Sequence, residues 1–143
     1  MTTVQRPVKV IIAKAGLDGH ERGAYAVTSA LRDAGMDVVY LGMFQTPERI
    51  AEAALQEDAE VVGLSSLNGE HIRFTRRVLE ALRDRGLHDV LLIVGGIVPG
   101  EDVPQLREMG VTGVFPPGSP MREIVAFITG QTRTAGDGRG RDA

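Results

Sequence analysis

Short, almost wholly apolar runs alternate with longer amphipathic stretches through most of this chain, and that alternation restricts its fold more than any other feature. Runs such as residues 8–13 and 60–65 have no polar face, the pattern of strands covered on both sides. The stretches between them carry apolar residues at helical spacing, as in Tyr25-Ala26-Val27 followed by Ala30-Leu31. Strand and helix in strict succession predict a parallel sheet with helices on both faces. The expected strands are residues 8–13, 37–41, 60–65, 90–94 and 111–115. The expected helices are residues 22–34, a second with Thr46 as N-cap and Pro47 at its first position, then 70–85, 101–109 and 121–129. Gly35, Gly86 and Gly110 stop three of them. Right-handed crossovers favour the strand order 2-1-3-4-5, a flavodoxin-like, doubly wound α/β fold. Residues 1–7 are expected to be an N-terminal extension and 8–129 the domain. Residues 130–143, rich in glycine and charge, are expected to be a disordered tail.

Composition removes several functions. The chain has no cysteine, so disulfides, thiolate metal sites and cysteine nucleophiles are all excluded, and a reducing, cytoplasmic setting fits. A net charge of -3 with interspersed signs and no basic stripe argues against nucleic acid as a partner. No apolar run approaches the roughly 18–20 residues that span a membrane. Aromatic content of 4% without tryptophan leaves little for base stacking.

In doubly wound sheets ligands bind beyond the carboxyl ends of the strands, near the switch between the first and third. The unusual residues of this chain fall there. Lys14 to Gly23 follows the first strand, Ser65-Ser66-Leu67-Asn68-Gly69 the third, Gly95-Gly96 the fourth, and Pro116-Pro117-Gly118-Ser119 the fifth. The familiar occupants fail. There is no Walker GxxxxGK[ST] and no GxGxxG, and the first loop has no hydroxyls for FMN. The third strand lacks the terminal Asp, and the fifth the terminal Lys, of a phosphoryl receiver. What the first loop does offer is Asp18 and His20, two residues apart. A carboxylate that accepts from Nδ1–H fixes the imidazole tautomer and leaves Nε2 as a lone pair, for a general base or a metal. Lys14 could bind Asp18 in turn. With no second ligand nearby, zinc is implausible; one histidine suits a metal whose other ligands arrive with a cofactor.

Asp18-Gly19-His20-Glu21-Arg22-Gly23 resembles the DxHxxG signature of cobalamin-binding domains. Ser65-Ser66-Leu67 is similar to their SxL element and Gly95-Gly96 to their GG element, each behind the appropriate strand. The resemblance covers about residues 8–127 and is greatest to the separate small subunits of adenosylcobalamin-dependent acyl-CoA mutases, such as the methylmalonyl-, isobutyryl- and 2-hydroxyisobutyryl-CoA enzymes. It implies adenosylcobalamin bound base-off, with His20 as the lower cobalt ligand and Asp18, backed by Lys14, tuning its basicity. Ser65 would then hydrogen-bond the buried benzimidazole, and Leu67, Gly69, Gly95 and Gly96 would wall its pocket. Backbone amides near Gly19, Glu21, Arg22 and Gly23 would meet the corrin amides, and Gly118 and Ser119 would close the far side. The resemblance also implies a large TIM-barrel subunit that holds the acyl-CoA, with a cofactor-loading chaperone as a further candidate partner. On that reading the chain carries the cofactor of an isomerase and is inactive alone. The alternatives are a non-catalytic cobalamin carrier or sensor and a corrinoid methyl-transfer protein.

Overall fold

The computed structural model describes residues 7–15, 22–66, 71–96, 98–116 and 118–140. Along these run β1 (Lys9–Ala15), α1 (Arg22–Asp33), β2 (Asp37–Gln45), α2 (Pro47–Glu57), β3 (Val61–Ser66), α3 (His71–Asp84), β4 (Leu91–Gly96), a 3-10 turn (Gly100–Asp102), α4 (Val103–Met109), β5 (Gly113–Phe115) and α5 (Met121–Gly140). The strands form one parallel sheet in the order β2-β1-β3-β4-β5, as the alternation of runs predicts. The chain therefore steps outward from β1 to β2, then crosses back to β3, and its switch point lies between β1 and β3.

Strand periodicity divides the interior into two layers. Ile11 and Ala13 of β1, Val62 and Leu64 of β3, and Leu92 and Val94 of β4 face α2, α3 and α4, where Ile50, Val78, Leu82 and Leu106 cover them. Val10, Ile12, Val61 and Ile93 face the other way, under Ala24 and Leu31 of α1 and Ile124 and Ile128 of α5. Each such fully buried aliphatic side chain contributes roughly 1.5–3 kcal/mol from its area alone. Among the described residues no helix is long and apolar enough to cross a membrane.

Local chemistry sets the helix ends. Thr46 is extended (φ -97°, ψ 156°) and its Oγ1 accepts from Arg49 N at 3.2 Å, an N-cap followed by Pro47 where no N–H is needed. At the far end of α2, Asp58 takes the left-handed conformation (φ 55°), and Ala59 N donates to Ala54 O at 2.9 Å.

Several boundaries differ from those read in the sequence. β1 continues through Lys14 to Ala15, and β2 to Gln45, because the pairing slips from Ile12–Tyr40 to Ala13–Gly42 and resumes at Ala15–Gln45. The fourth helix begins as a 3-10 turn and becomes α-helical only at Val103, next to Pro104, which has no N–H to give an earlier carbonyl. β5 starts at Gly113, not at residue 111, because Val111 N still closes α4 on Leu106 O. The last helix does not stop at Thr129. Thr132 remains buried and its Oγ1 donates to Ile128 O at 2.8 Å, and α5 runs on to Gly140 through the stretch expected to be a disordered tail.

Candidate functional site

Register brings the site together. Lys14 of β1 stands beside Ser65 of β3, Ser65 beside Gly95 of β4, and Gly95 beside Phe115 of β5. Two residues below them in each strand, hence on the same face, lie Ile12, Gly63, Ile93 and Gly113 in a second row. Both rows look toward α1 and α5. The helices do not close over them, and a cavity of about 420 Å³ remains, open at the carboxyl ends of β1, β3, β4 and β5. That volume lies within the about 300–1,000 Å³ usual for small-molecule sites.

The cavity is a slot with a carbon floor. Ile12, Gly63 and Ile93 lie beneath it, with Ala24 and Val27 of α1 on one side and Met121 and Ile124 of α5 on the other, and Phe115 at the β5 edge. Gly63 has no room for a side chain, since a Cβ there would sit 2.8 Å from Ile12 Cδ1 and 3.4 Å from Ile93 Cγ1. Gly113 plays the equivalent part under the β5 wall: a Cβ would come within 2.9 Å of two ring carbons of Phe127. Phe127 thereby lies against the sheet and meets Phe115 edge to face, centroids 5.4 Å apart at 78°.

Polar groups gather at the mouth. Lys14 is only 1% exposed, is the sole charged residue among the described lining and is not without a partner. A buried ammonium without one would cost several kcal/mol. Ser65, Gly95 and Gly96 line the same edge. Gly118 and Ser119 line the opposite side in a tight turn, where Ser119 Oγ and N both donate to Pro116 O at 2.7 and 3.1 Å. The structure thus brings together Lys14, Ser65, Gly95, Gly96, Gly118 and Ser119 as the sequence suggested. Arg22 and Gly23 open α1, immediately before the lining residue Ala24. Asp18, Gly19, His20, Glu21, Leu67 and Gly69 lie outside the described residues. Among the described residues no cluster of three or more His, Asp or Glu could hold a metal by itself.

Sequence reasoning missed the floor. Ile12, Gly63 and Ile93 each precede a singled-out residue by two positions, so strand period alone could have placed them on the site's face.

Fold and site together define a ligand-binding doubly wound α/β domain of the flavodoxin-like class, with an apolar slot at its switch point. The B12 binding domain family model matches residues 8–126, and the chain belongs to that family. It is 43% identical over 124 residues to the 2-hydroxyisobutanoyl-CoA mutase small subunit of Aquincola tertiaricarbonis, covering 87% of this chain and 91% of that one. It is 44% identical over 124 residues to the pivalyl-CoA mutase small subunit of Xanthobacter autotrophicus, covering 87% and 83%. Against the methylmalonyl-CoA mutase of Escherichia coli the identity is 43% over 124 residues, 87% of this chain but 17% of that one. A cobalamin-binding protein from Desulfitobacterium hafniense has the same fold, with a TM-score of 0.77 at 23% identity over 88% of this chain and 60% of that one.

The slot fits the nucleotide tail of such a cofactor on its own chemistry. Its depth is apolar, as a planar aromatic base requires, and its glycine-lined mouth lets backbone approach a bulky ring closely.

Proposed function

We propose that this chain is the cobalamin-carrying small subunit of an adenosylcobalamin-dependent acyl-CoA mutase, and that it holds the cofactor base-off with His20 as lower cobalt ligand. The observation that carries this reading is where the slot lies relative to the DxHxxG run. Residues 16–21 join the end of β1 to the start of α1, and Lys14 on one side and Ala24 on the other both line the slot. A slot whose lining flanks the DxHxxG run in sequence supports a cofactor that presents a metal and, beyond it, a displaced base.

Each group then has a task that follows from its chemistry. The His20 imidazole would hold the cobalt through its free ring nitrogen. Asp18 accepts from the other ring nitrogen, and Lys14, buried behind, balances that carboxylate's charge. The Ser65 hydroxyl hydrogen-bonds the base at the slot mouth. Leu67, Gly69, Gly95 and Gly96 wall the tail, and Gly118 and Ser119 close its far side. The backbone of Gly19, Glu21, Arg22 and Gly23 meets the corrin rim. Bound adenosylcobalamin would supply the radical chemistry for rearranging an acyl-CoA. Orientation and exclusion of water from the lower face are this chain's contribution. The upper face and the acyl-CoA belong to a large barrel subunit, in the cytoplasm.

Absorption titration with cobalamin, followed by nitrogen hyperfine splitting in the cob(II) state, tests the reading. Tight binding with a histidine nitrogen on cobalt, abolished in His20→Ala, is expected. Binding with benzimidazole still on cobalt would remove His20 from its role.

A further inference from the structure

We infer that the outer edge of β2 is a strand-pairing site that fits a second copy of this chain, and that Arg32 of α1 holds it shut by occupying the carbonyl such pairing needs.

The five-stranded sheet has two outer edges, and they differ. β5 has three residues, too few to template another strand. β2 has nine, Asp37–Gln45, an apolar run with valine, tyrosine and phenylalanine but without the lysine or proline that commonly blunts an edge. Its one charged residue, Asp37, is held by Lys9 at 2.7 Å. By composition alone this edge recruits a partner strand.

Two side chains cover it instead. Asp37 N donates to Val8 O at 2.9 Å, so the peptide groups of Asp37 face β1 and those of Val38, the next residue, face outward. Val38 O accepts from Arg32 Nη2 at 3.0 Å. Arg32 lies in the last turn of α1 and reaches across the connection from helix to strand. Further along, the slip in pairing passes over Leu41, whose carbonyl accepts from Gln45 Nε2 at 2.9 Å. Gly42, at φ 91°, bends the strand there. The straight part of the edge is therefore its amino half, the part that Arg32 covers.

A second copy is the occupant that fits because the edge is complementary to itself. Two chains related by a two-fold axis at Val38 would run antiparallel, each Val38 giving its N–H to the other's C=O. Asp37 would then stand opposite Val39 of the second copy, so no like charges meet. Both bonds end on Val38 O, the atom that Arg32 occupies in each copy. A guanidinium bond to a carbonyl is stronger than the neutral N–H bond that would replace it, so the closed form prevails.

Sedimentation equilibrium of the full chain, from micromolar to millimolar, tests this. The wild type is expected to stay monomeric. Arg32→Met keeps the stem and removes the donors. It is expected to dimerise at concentrations roughly a hundredfold below any at which the wild type associates, about tenfold for each freed carbonyl. Arg32→Ala, which also shortens the stem, should dimerise at least as well and gives a second reading should Arg32→Met fold poorly. Val38→Pro removes an N–H that β1 does not use, and Arg32→Met/Val38→Pro should be monomeric again. Amide hydrogen exchange locates the contact without that variant: the Val38 N–H of Arg32→Met should exchange more slowly at high concentration than at low. Arg32→Met and Arg32→Ala as monomeric as the wild type would overturn the inference. Dimers that survive Val38→Pro, or that leave Val38 N–H exchange independent of concentration, would equally overturn it. A wild type that dimerises as strongly as Arg32→Met would remove Arg32 as the guard.

Discussion

Lys14 and Ser65 are register partners across β1 and β3, the two strands that flank the switch point, and both line the slot. One places a buried ammonium at the mouth and the other a hydroxyl. Lys14→Met keeps an unbranched stem and removes the charge, whereas Lys14→Ala also leaves a void. Lys14→Ala should be about 2 kcal/mol or more less stable than Lys14→Met in urea unfolding, the cost of the cavity. Lys14→Met should bind cobalamin about tenfold more weakly, the low end for a group acting through a metal ligand's partner. Wild-type affinity in Lys14→Met would exclude it from the relay.

Asp18→Ala should weaken cobalamin binding by roughly 10–100-fold and alter the nitrogen hyperfine pattern, because the imidazole loses the acceptor that fixes its tautomer. An unchanged spectrum would show that His20 needs no such support.

Gly113→Ala forces a methyl against the Phe127 ring, with nearest approach 2.8 Å, and into the Phe115 edge at 3.2 Å. Overpacking of this kind costs about 1–3 kcal/mol. Thermal melting of the apo chain should show the loss, and Phe127→Leu in the same chain should recover part of it. Additive losses would mean the contact is not the cause.

Thr46→Ala removes the acceptor that Arg49 N uses and should cost about 1 kcal/mol, with Thr46→Ser close to wild type. Urea midpoints of the three chains measure it. Because α2 packs on the layer away from the slot, cobalamin affinity should not change.

Lys9 ties β1 to its neighbours through Asp37 at 2.7 Å and Glu57 at 3.1 Å. Its ammonium donates to both carboxylates, Asp37 first, and its pKa is held above the ordinary lysine value. Stability from a raised folded-state pKa is fully present below the unfolded pKa and is lost as pH rises through the folded one. Unfolding free energy should therefore gain nothing from lowering the pH below neutrality on this account, and should fall on the alkaline side of the lysine range. Lys9→Met should make that alkaline fall shallower; an identical slope would show that the two pairs add nothing.

Much of this was legible in the sequence because it rests on local patterns. Apolar runs bounded by stop glycines gave the strands and right-handed crossovers their order, and the unusual polar and glycine residues behind the strands fall at one edge of the sheet. Lys14, Ser65, Gly95 and Ser119 do share one cavity. The floor was not legible, because Ile12 and Ile93 look like any core isoleucine until register sets Gly63 between them. The extension of β2 was hidden for a similar reason: it depends on a slip opposite Ala13 that belongs to the pair of strands, not to either one. The helix passes Thr129 because Ile128 and Thr132 are both buried, which glycine content alone does not register.

The layer beneath α1 and α5 has a consequence for how a guest arrives. Toward the amino ends of the strands the two helices are fastened, with Val10, Leu31 and Ile128 in one buried cluster. Toward the carboxyl ends the same helices stand apart around the slot. They behave as a zip closed along part of its length. None of α2, α3 and α4 lines the gap among the described residues. A guest sliding in therefore prolongs a seam that already exists, and the teeth below it need not come undone for the guest to leave.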